Sequence, residues 1–391
     1  MQQAVILAAG EGWRLRPYTV NRPKVMLPVA GKPVLGYVVG ALAENGIREI
    51  IMVVGYKKEQ VFDYIGSGER FGADVTYVTQ SKRLGTANAL AQVRDKARDE
   101  FLVLSGDKLI GAATIAGFVK VSPHSILVKR VEGPERYGVV NIEGGLVKKL
   151  EEQPREPLSN TASTRIYAFS SEIFEFIEEE LNLTDVLNKM IERGKSIRAV
   201  ETSGSWLEAV YPWDILSLNS AVIPDVGSAT AGTIEKGVSL AGHISLGKDT
   251  VIRANSSLAG PLVIGEGCDI GPNACIMPAT SIGDNAIINP FTEIKNSVIG
   301  SDTSIGSGSI IHDSVIGNGC SIGGHFNALS GESDIRIDNR YHTIRLGAMI
   351  GEDCSIGAGV VAEPGVIMGN YSEVQALKVI RGRFPDKSLI Y

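Results

Sequence analysis

Apolar residues fall in two different rhythms along this chain. Up to about residue 225 they come as short runs separated by amphipathic stretches. QAVILAA from Gln3, EIIMVVG from Glu49, DVTYVTQ from Asp74 and FLVLSGD from Phe101 are runs of strand length. Between the first two, VLGYVVGALAENGI has helical spacing and stops at Gly46. Strands alternating with helical segments predict a Rossmann-like α/β domain with a mostly parallel sheet covered on both faces. Ligands of such sheets bind beyond the carboxyl ends of the strands. Gly10, Gly12 and Asp107 stand at such ends and are expected to face one crevice.

From about Val226 the helical spacing stops and Ile-Gly pairs begin. They fall at Ile264, Ile270, Ile282, Ile299, Ile305, Ile316, Ile322, Ile350 and Ile356, each followed by glycine, many at or near multiples of six. A hexapeptide period is the mark of a parallel β-helix, with the aliphatic residue inside a three-sided prism and glycine supplying unusual backbone conformations at corners. The period lapses over residues 324–345, which predicts a loop or arm leaving the coil. EVQALKVI, starting at Glu373, could form a capping helix.

The length of 391 residues then divides into two domains, 1–225 and 226–391. A formal charge of −6 argues against a nucleic-acid partner. No apolar run has the length of a membrane span, and the first residues carry no basic leader, so a cytoplasmic protein without membrane contact is expected. Cys268, Cys275, Cys320 and Cys354 all lie in the repeat region with no CxxC pair. They are expected as buried small hydrophobes rather than metal ligands.

The first strand runs into AAGEGWRLRPYT (Ala8–Thr19), followed by RPKVMLPVAGKP (Arg22–Pro33). A glycine-rich turn of this kind brings backbone N–H groups close to phosphate. In combination the two stretches resemble those of sugar-1-phosphate nucleotidylyltransferases, and the whole chain resembles their members with a C-terminal left-handed β-helix. The resemblance implies attack of a sugar-1-phosphate oxygen on the α-phosphorus of a nucleoside triphosphate, UTP or dTTP, with release of pyrophosphate. It implies that Ala8, Gly10, Glu11 and Gly12 surround the triphosphate. Arg14 and Lys24 would act as the catalytic cations, and Gln80, Gly85 and Thr86 would hold the base. Gly138, Glu152 and Arg165 would lie at the sugar, which is of glucose or N-acetylglucosamine type. Asp107 and Glu208 would hold Mg²⁺, a hard ion that takes oxygen ligands. A homo-oligomer built on trimers is implied by the β-helix.

Several positions depart from the family pattern. Trp13 stands where a small hydroxyl residue is usual, and Gln153 where a lysine is. Arg165 replaces a glycine, Glu208 an aspartate, and Val210 and Tyr211 fill small sites. These enlargements are expected either to reshape a pocket or to close it. Two alternatives therefore stand beside the enzyme: a catalytically silent homologue that binds nucleotide and regulates a partner, and a bifunctional enzyme with acetyltransferase activity on the β-helix. For the latter, His312 stands near the expected general base, while YHTIRLGAMIG lacks the expected lysines.

Overall fold

The computed structural model describes residues 1–338 and 340–391; Asn339, within the expected arm, lies outside them. Contacts divide the chain into two units. The first comprises Met1–Glu11, Arg22–Met26 and Pro33–Glu208. The second comprises Gly12–Asn21, Leu27–Lys32 and Ala209–Tyr391.

The first unit holds β1 (Gln3–Ala8), α1 (Val34–Glu44), β2 (Glu49–Val54), β3 (Asp74–Thr79), α2 (Thr86–Ala91), β4 (Glu100–Ser105) and β5 (Lys108–Ile110). It continues with β6 (Ser125–Arg130), β7 (Gly138–Glu143), β8 (Leu146–Glu152), β9 (Thr161–Ser170), α3 (Leu183–Glu192), β10 (Arg198–Glu201) and β11 (Trp206–Glu208). Nine strands form one sheet in the order β3-β2-β1-β4-β9-β6-β10-β8-β7. β3, β2, β1 and β4 run parallel, as their apolar runs imply; β9 is antiparallel to both β4 and β6, so the sheet is mixed beyond that point. Alternate residues of β1 feed opposite cores. Ala4, Ile6 and Ala8 join one cluster and Val5 the other, the two-residue period of a strand buried on both faces.

The second unit contains three parallel sheets of nine, nine and eight strands among the described residues. They are the sides of the left-handed hexapeptide β-helix, with its first strand at Ala229. Ile252, Ile270, Ile288, Ile305, Ile322 and Ile356 pair in register from coil to coil and form one buried column. Each buried isoleucine is worth roughly 2 kcal/mol in transfer from water. Gly271 has the expected unusual backbone, with φ of +100°, but the other glycines of the Ile-Gly pairs have a different reason. A Cβ on Gly306 would stand 2.3 Å from the Gly324 nitrogen, so coil-to-coil closeness excludes a side chain there. Many left-handed corners fall instead on asparagine and aspartate, including Asn255, Asn273, Asn285 and Asp302, which tolerate positive φ. The arm is a β-hairpin, with Gly331–Ile337 antiparallel to Arg340–Leu346. The expected capping helix is absent: Glu373–Val374 and Val379–Ile380 are strands of a further coil. Cys268, Cys320 and Cys354 are buried and Cys275 half-buried, all as free thiols.

Candidate active site

Each charged group of the first unit's site is placed by its local backbone. Lys24 opens a short 3₁₀ turn, Lys24–Met26, fixed by the buried Val25. Asp107 lies just beyond β4, where the Gly106 N–H donates to the Leu7 carbonyl at 2.9 Å and ties the turn to the end of β1. β5 and β11 form a two-stranded ribbon in which Lys108 stands directly opposite Glu208. Arg165 occupies an irregularity between β9 and β6 with φ of +58°, a left-handed conformation natural to glycine. Glu152 ends β8 opposite Gly138.

These residues converge. Lys24 Nζ lies 2.6 Å from Asp107 Oδ2 and 3.5 Å from Glu208 Oε1. The other Glu208 oxygen, Oε2, is in ion-pair contact with Lys108 Nζ, and the Lys108 side chain has no exposed surface. Arg165 is ion-paired to Glu152. Asp107 Oδ1 is buried and accepts no hydrogen bond. Burial raises the Asp107 pKa, but Lys24 and Lys108 overcome this and hold the carboxyl well below the usual range. Burial likewise opposes ionisation of Glu208, yet Lys108, Lys24 and Arg165 bring it down to about 2. Lys24 is desolvated too, but Asp107 and Glu208 raise its pKa. Burial dominates at Lys108 and lowers its pKa despite Glu208. Sequence reasoning missed Lys108. Its signal was a lysine inside the apolar run KLI, directly after the metal-type aspartate.

A pH dependence of stability follows from Glu208. Its folded pKa lies below the ordinary 4.5, so its ionisation stabilises the fold above pH 4.5, and that contribution is lost as pH falls toward 2. In EDTA, wild type should exceed Glu208→Gln in urea midpoint at pH 6. The gap should narrow between pH 4.5 and pH 2. A gap that stays constant over this range would contradict the ion pair.

A cleft of about 250 Å³ adjoins the cluster, lined among others by Leu7, Ser105, Glu152, Arg165 and Tyr167. Leu7 and Ser105 mark the carboxyl ends of β1 and β4, where a parallel sheet binds ligands. On the base side, Gln80 donates its amide hydrogens to Gly85 O at 3.1 Å and Asn88 Oδ1 at 2.8 Å. Its donor side is thus committed within the loop. Gly85 has φ of +148°, and a Cβ there would lie 2.2 Å from Leu181 O, so only glycine fits. Thr86 does not cap α2; its hydroxyl accepts from the Leu183 N–H at 2.9 Å. Ala8 ends β1, Gly10 has open space about it, and Glu11 pairs with Arg83 at 3.4 Å. Gln153 donates to Arg136 O at 3.0 Å.

Other expected residues make their contacts in the second unit. Gly12 and Arg14 belong to it, and Arg14 Nε donates to Asp338 Oδ2 of the hairpin at 2.6 Å. Trp13 is 54% exposed, with the Arg14 guanidinium 5.5 Å from its ring centre. Val210 and Tyr211 belong to the second unit. Both backbone N–H groups donate to Asp214 at 2.8 Å, and the Tyr211 ring packs on Trp213 and His342. Of the departing side chains, Arg165 alone is among the cleft residues named above.

A nucleotidyl transferase family model matches residues 3–220, more than half of the chain, and so covers all of the charged cluster. The chain belongs to the nucleotidyl transferase family. It is an enzyme of that family, as expected. Models of the GMPPB C-terminal domain and of the hexapeptide repeat of succinyl-transferase match residues 258–333 and 347–376. The bifunctional protein GlmU of Methanococcus maripaludis is 34% identical, over 99% of this chain and 97% of that one. A bifunctional sugar-1-phosphate nucleotidylyltransferase/acetyltransferase of Sulfurisphaera tokodaii is 30% identical, over 95% of each. A solved structure, a putative glucose-1-phosphate thymidylyltransferase from Bacillus anthracis in complex with sucrose, is 32% identical with a TM-score of 0.53. It covers 58% of this chain and 97% of its own.

Nucleotidyl transferases of this family generally use a divalent metal. Among the described residues, no three Asp, Glu, His or Cys side chains gather as a closed metal site. Magnesium needs no such cage, because it takes one or two carboxylates together with substrate phosphates. Asp107 Oδ1, buried without a partner, fits that demand. Glu208 is engaged by two lysines. No helix among the described residues is long and apolar enough to cross a membrane.

Proposed function

We propose that the chain joins UTP or dTTP to a sugar-1-phosphate of glucose or N-acetylglucosamine type, releasing pyrophosphate and a nucleotide sugar. The observation that carries this reading is the meeting of Lys24, Asp107, Glu208, Lys108 and Arg165 at the carboxyl ends of the parallel strands. Transfer at phosphorus asks for alignment and for neutralisation of spreading charge, and fixed cations supply both. Lys24 is held by Asp107 at a position from which its ammonium can follow negative charge on the phosphates. Arg165, fixed by Glu152, faces the sugar phosphate, and Gly138 keeps space beside Glu152. Gln80, Gly85 and Thr86 shape the base pocket, and Ala8, Gly10, Glu11 and Gly12 the phosphate loop. Arg14 would leave Asp338 to stabilise the departing pyrophosphate. Bound Mg²⁺, held by Asp107 together with triphosphate oxygens, would supply further charge neutralisation.

The test is pyrophosphate release from the purified chain across UTP, dTTP and a panel of sugar-1-phosphates. Release with at least one pair supports the reading; triphosphate binding without release from any pair favours the silent homologue. The β-helix is read as the oligomerisation element of a cytoplasmic enzyme. Light scattering should give a trimer or a multiple of it, and a monomeric chain would contradict this.

Acetyl transfer is the second reading, favoured by the two relatives described as bifunctional. His312 Nε2 lies 2.8 Å from Glu293 Oε1 on neighbouring coils, an arrangement that orients an imidazole. Release of coenzyme A from acetyl-CoA in the presence of an amino-sugar phosphate decides it.

A further inference from the structure

We infer that Lys108 is a resident cation of the site, which takes Glu208 out of metal coordination and leaves Asp107 as the only protein carboxylate for the divalent ion. This deepens the reading above and rests on it for the identity of the nucleotide ligand.

Three observations carry it. The first is backbone register. The β5–β11 ribbon sets Lys108 directly across from Glu208, and Lys108 is completely buried. An ammonium group in such a place is tolerated only when paired, because burying it alone is costly. The Trp206 ring also faces it, with Nζ 5.8 Å from the ring centre, a favourable face for a cation, and Asp107 lies within its electrostatic reach. The pair is therefore part of the folded ribbon and is not a surface contact that a metal would readily displace.

The second is how the carboxylate oxygens are used. Glu208 Oε2 meets Lys108, and Oε1 lies 3.5 Å from Lys24. Asp107 Oδ2 meets Lys24 at 2.6 Å, and Asp107 Oδ1 is buried without a hydrogen bond. Of the two carboxylates that flank Lys24, Asp107 is the one with a buried oxygen that no protein donor meets.

The third is charge. Lys24, Lys108 and Arg165 stand with Asp107, Glu208 and Glu152, so the cluster is neutral as built. Without Lys108 it would be an anionic site that calls for a divalent ion before it can accept a triphosphate. With Lys108, part of that positive charge is permanent. Triphosphate binding should therefore depend only weakly on metal.

Mn²⁺ titration of the full-length chain without nucleotide tests the inference directly, with free Mn²⁺ read by electron paramagnetic resonance. Both single variants remove one negative charge, so their difference reports ligation: Glu208→Gln should weaken Mn²⁺ binding only a few-fold, the effect of charge alone, while Asp107→Asn should weaken it about tenfold or more beyond that, the effect of losing one good ligand. Lys108→Met should tighten it about tenfold by freeing Glu208, and Lys108→Met combined with Glu208→Gln should return it to the wild-type value. A weakening in Glu208→Gln as large as that in Asp107→Asn would make Glu208 a ligand and overturn the inference, as would no change in a folded Lys108→Met. If Lys108→Met does not fold, the Glu208→Gln arm alone decides. A second arm measures UTP and dTTP binding in EDTA. Wild type should keep an affinity within about tenfold of that in Mg²⁺, whereas Lys108→Met should lose more than that and recover when Mg²⁺ is added. Equal loss in both proteins would overturn the inference. If neither triphosphate binds under any condition, the proposed function fails, and the Mn²⁺ titration still decides the role of Lys108.

Discussion

Asp107→Asn should lower kcat/KM for pyrophosphate formation by roughly a thousandfold, about 4 kcal/mol of transition-state stabilisation. The reasoning is local. Asp107 Oδ1 is the one buried carboxylate oxygen of the cluster that no protein donor uses. The carboxyl stays ionised because Lys24 and Lys108 outweigh its burial. Asparagine keeps the shape but removes the charge that pairs with Lys24, so the melting temperature should fall as for any buried pair broken at one end, with the protein still folded at assay temperature. What is lost is the negative charge that a divalent ion needs. Steady-state kinetics across Mg²⁺ concentrations, with a thermal melt of each protein as control, checks this. Unchanged turnover with an unchanged Mg²⁺ dependence would contradict it.

Lys24→Met should be nearly as damaging and should differ in kind. Lys24 lies between Asp107 and Glu208 and is itself mostly buried. Removing its ammonium leaves Asp107 without its 2.6 Å partner. Breaking a buried pair at one end costs about 3 kcal/mol or more, so the urea midpoint should fall as well as the activity. The loss in kcat should reach about a hundredfold to a thousandfold, the usual worth of one donor aimed at developing charge. Lys24→Arg should restore much of the stability and less of the activity, because a planar fork does not reproduce a point charge. Full activity in Lys24→Met would remove Lys24 from the phosphates.

The fold was largely legible because both halves use periodic patterns. Four apolar runs appear as the parallel strands β3, β2, β1 and β4, and the Ile-Gly pairs appear as the prism with its isoleucine column. The tail was misread because EVQALKVI also suits a helix; the coil continues there because Val374 and Ile380 find partners in the preceding turn. The glycines were read as corner residues, whereas Gly306 answers to the closeness of the next coil, which no local pattern shows.

The site was legible where motif and strand end coincide, at Lys24 and Asp107. The structure brings Glu208 beside Lys24 and sets it against Lys108, a partner the motifs do not reveal, since cross-strand register is invisible in a single sequence. The Tyr211 ring packs on Trp213 and on His342, the latter a contact between distant parts of the chain that no local pattern shows. Arg165 was read as a bulky replacement of glycine. The structure adds its left-handed backbone and its ion pair with Glu152, which turn the substitution into a fixed cation.

The most direct measurement of the central claim is product analysis with wild type and Asp107→Asn on one triphosphate and sugar-1-phosphate pair. The wild type should form pyrophosphate and nucleotide sugar in equal amounts, and Asp107→Asn should form almost none while remaining folded. Equal product from both proteins, or triphosphate binding by wild type with no product from any pair, would contradict the account.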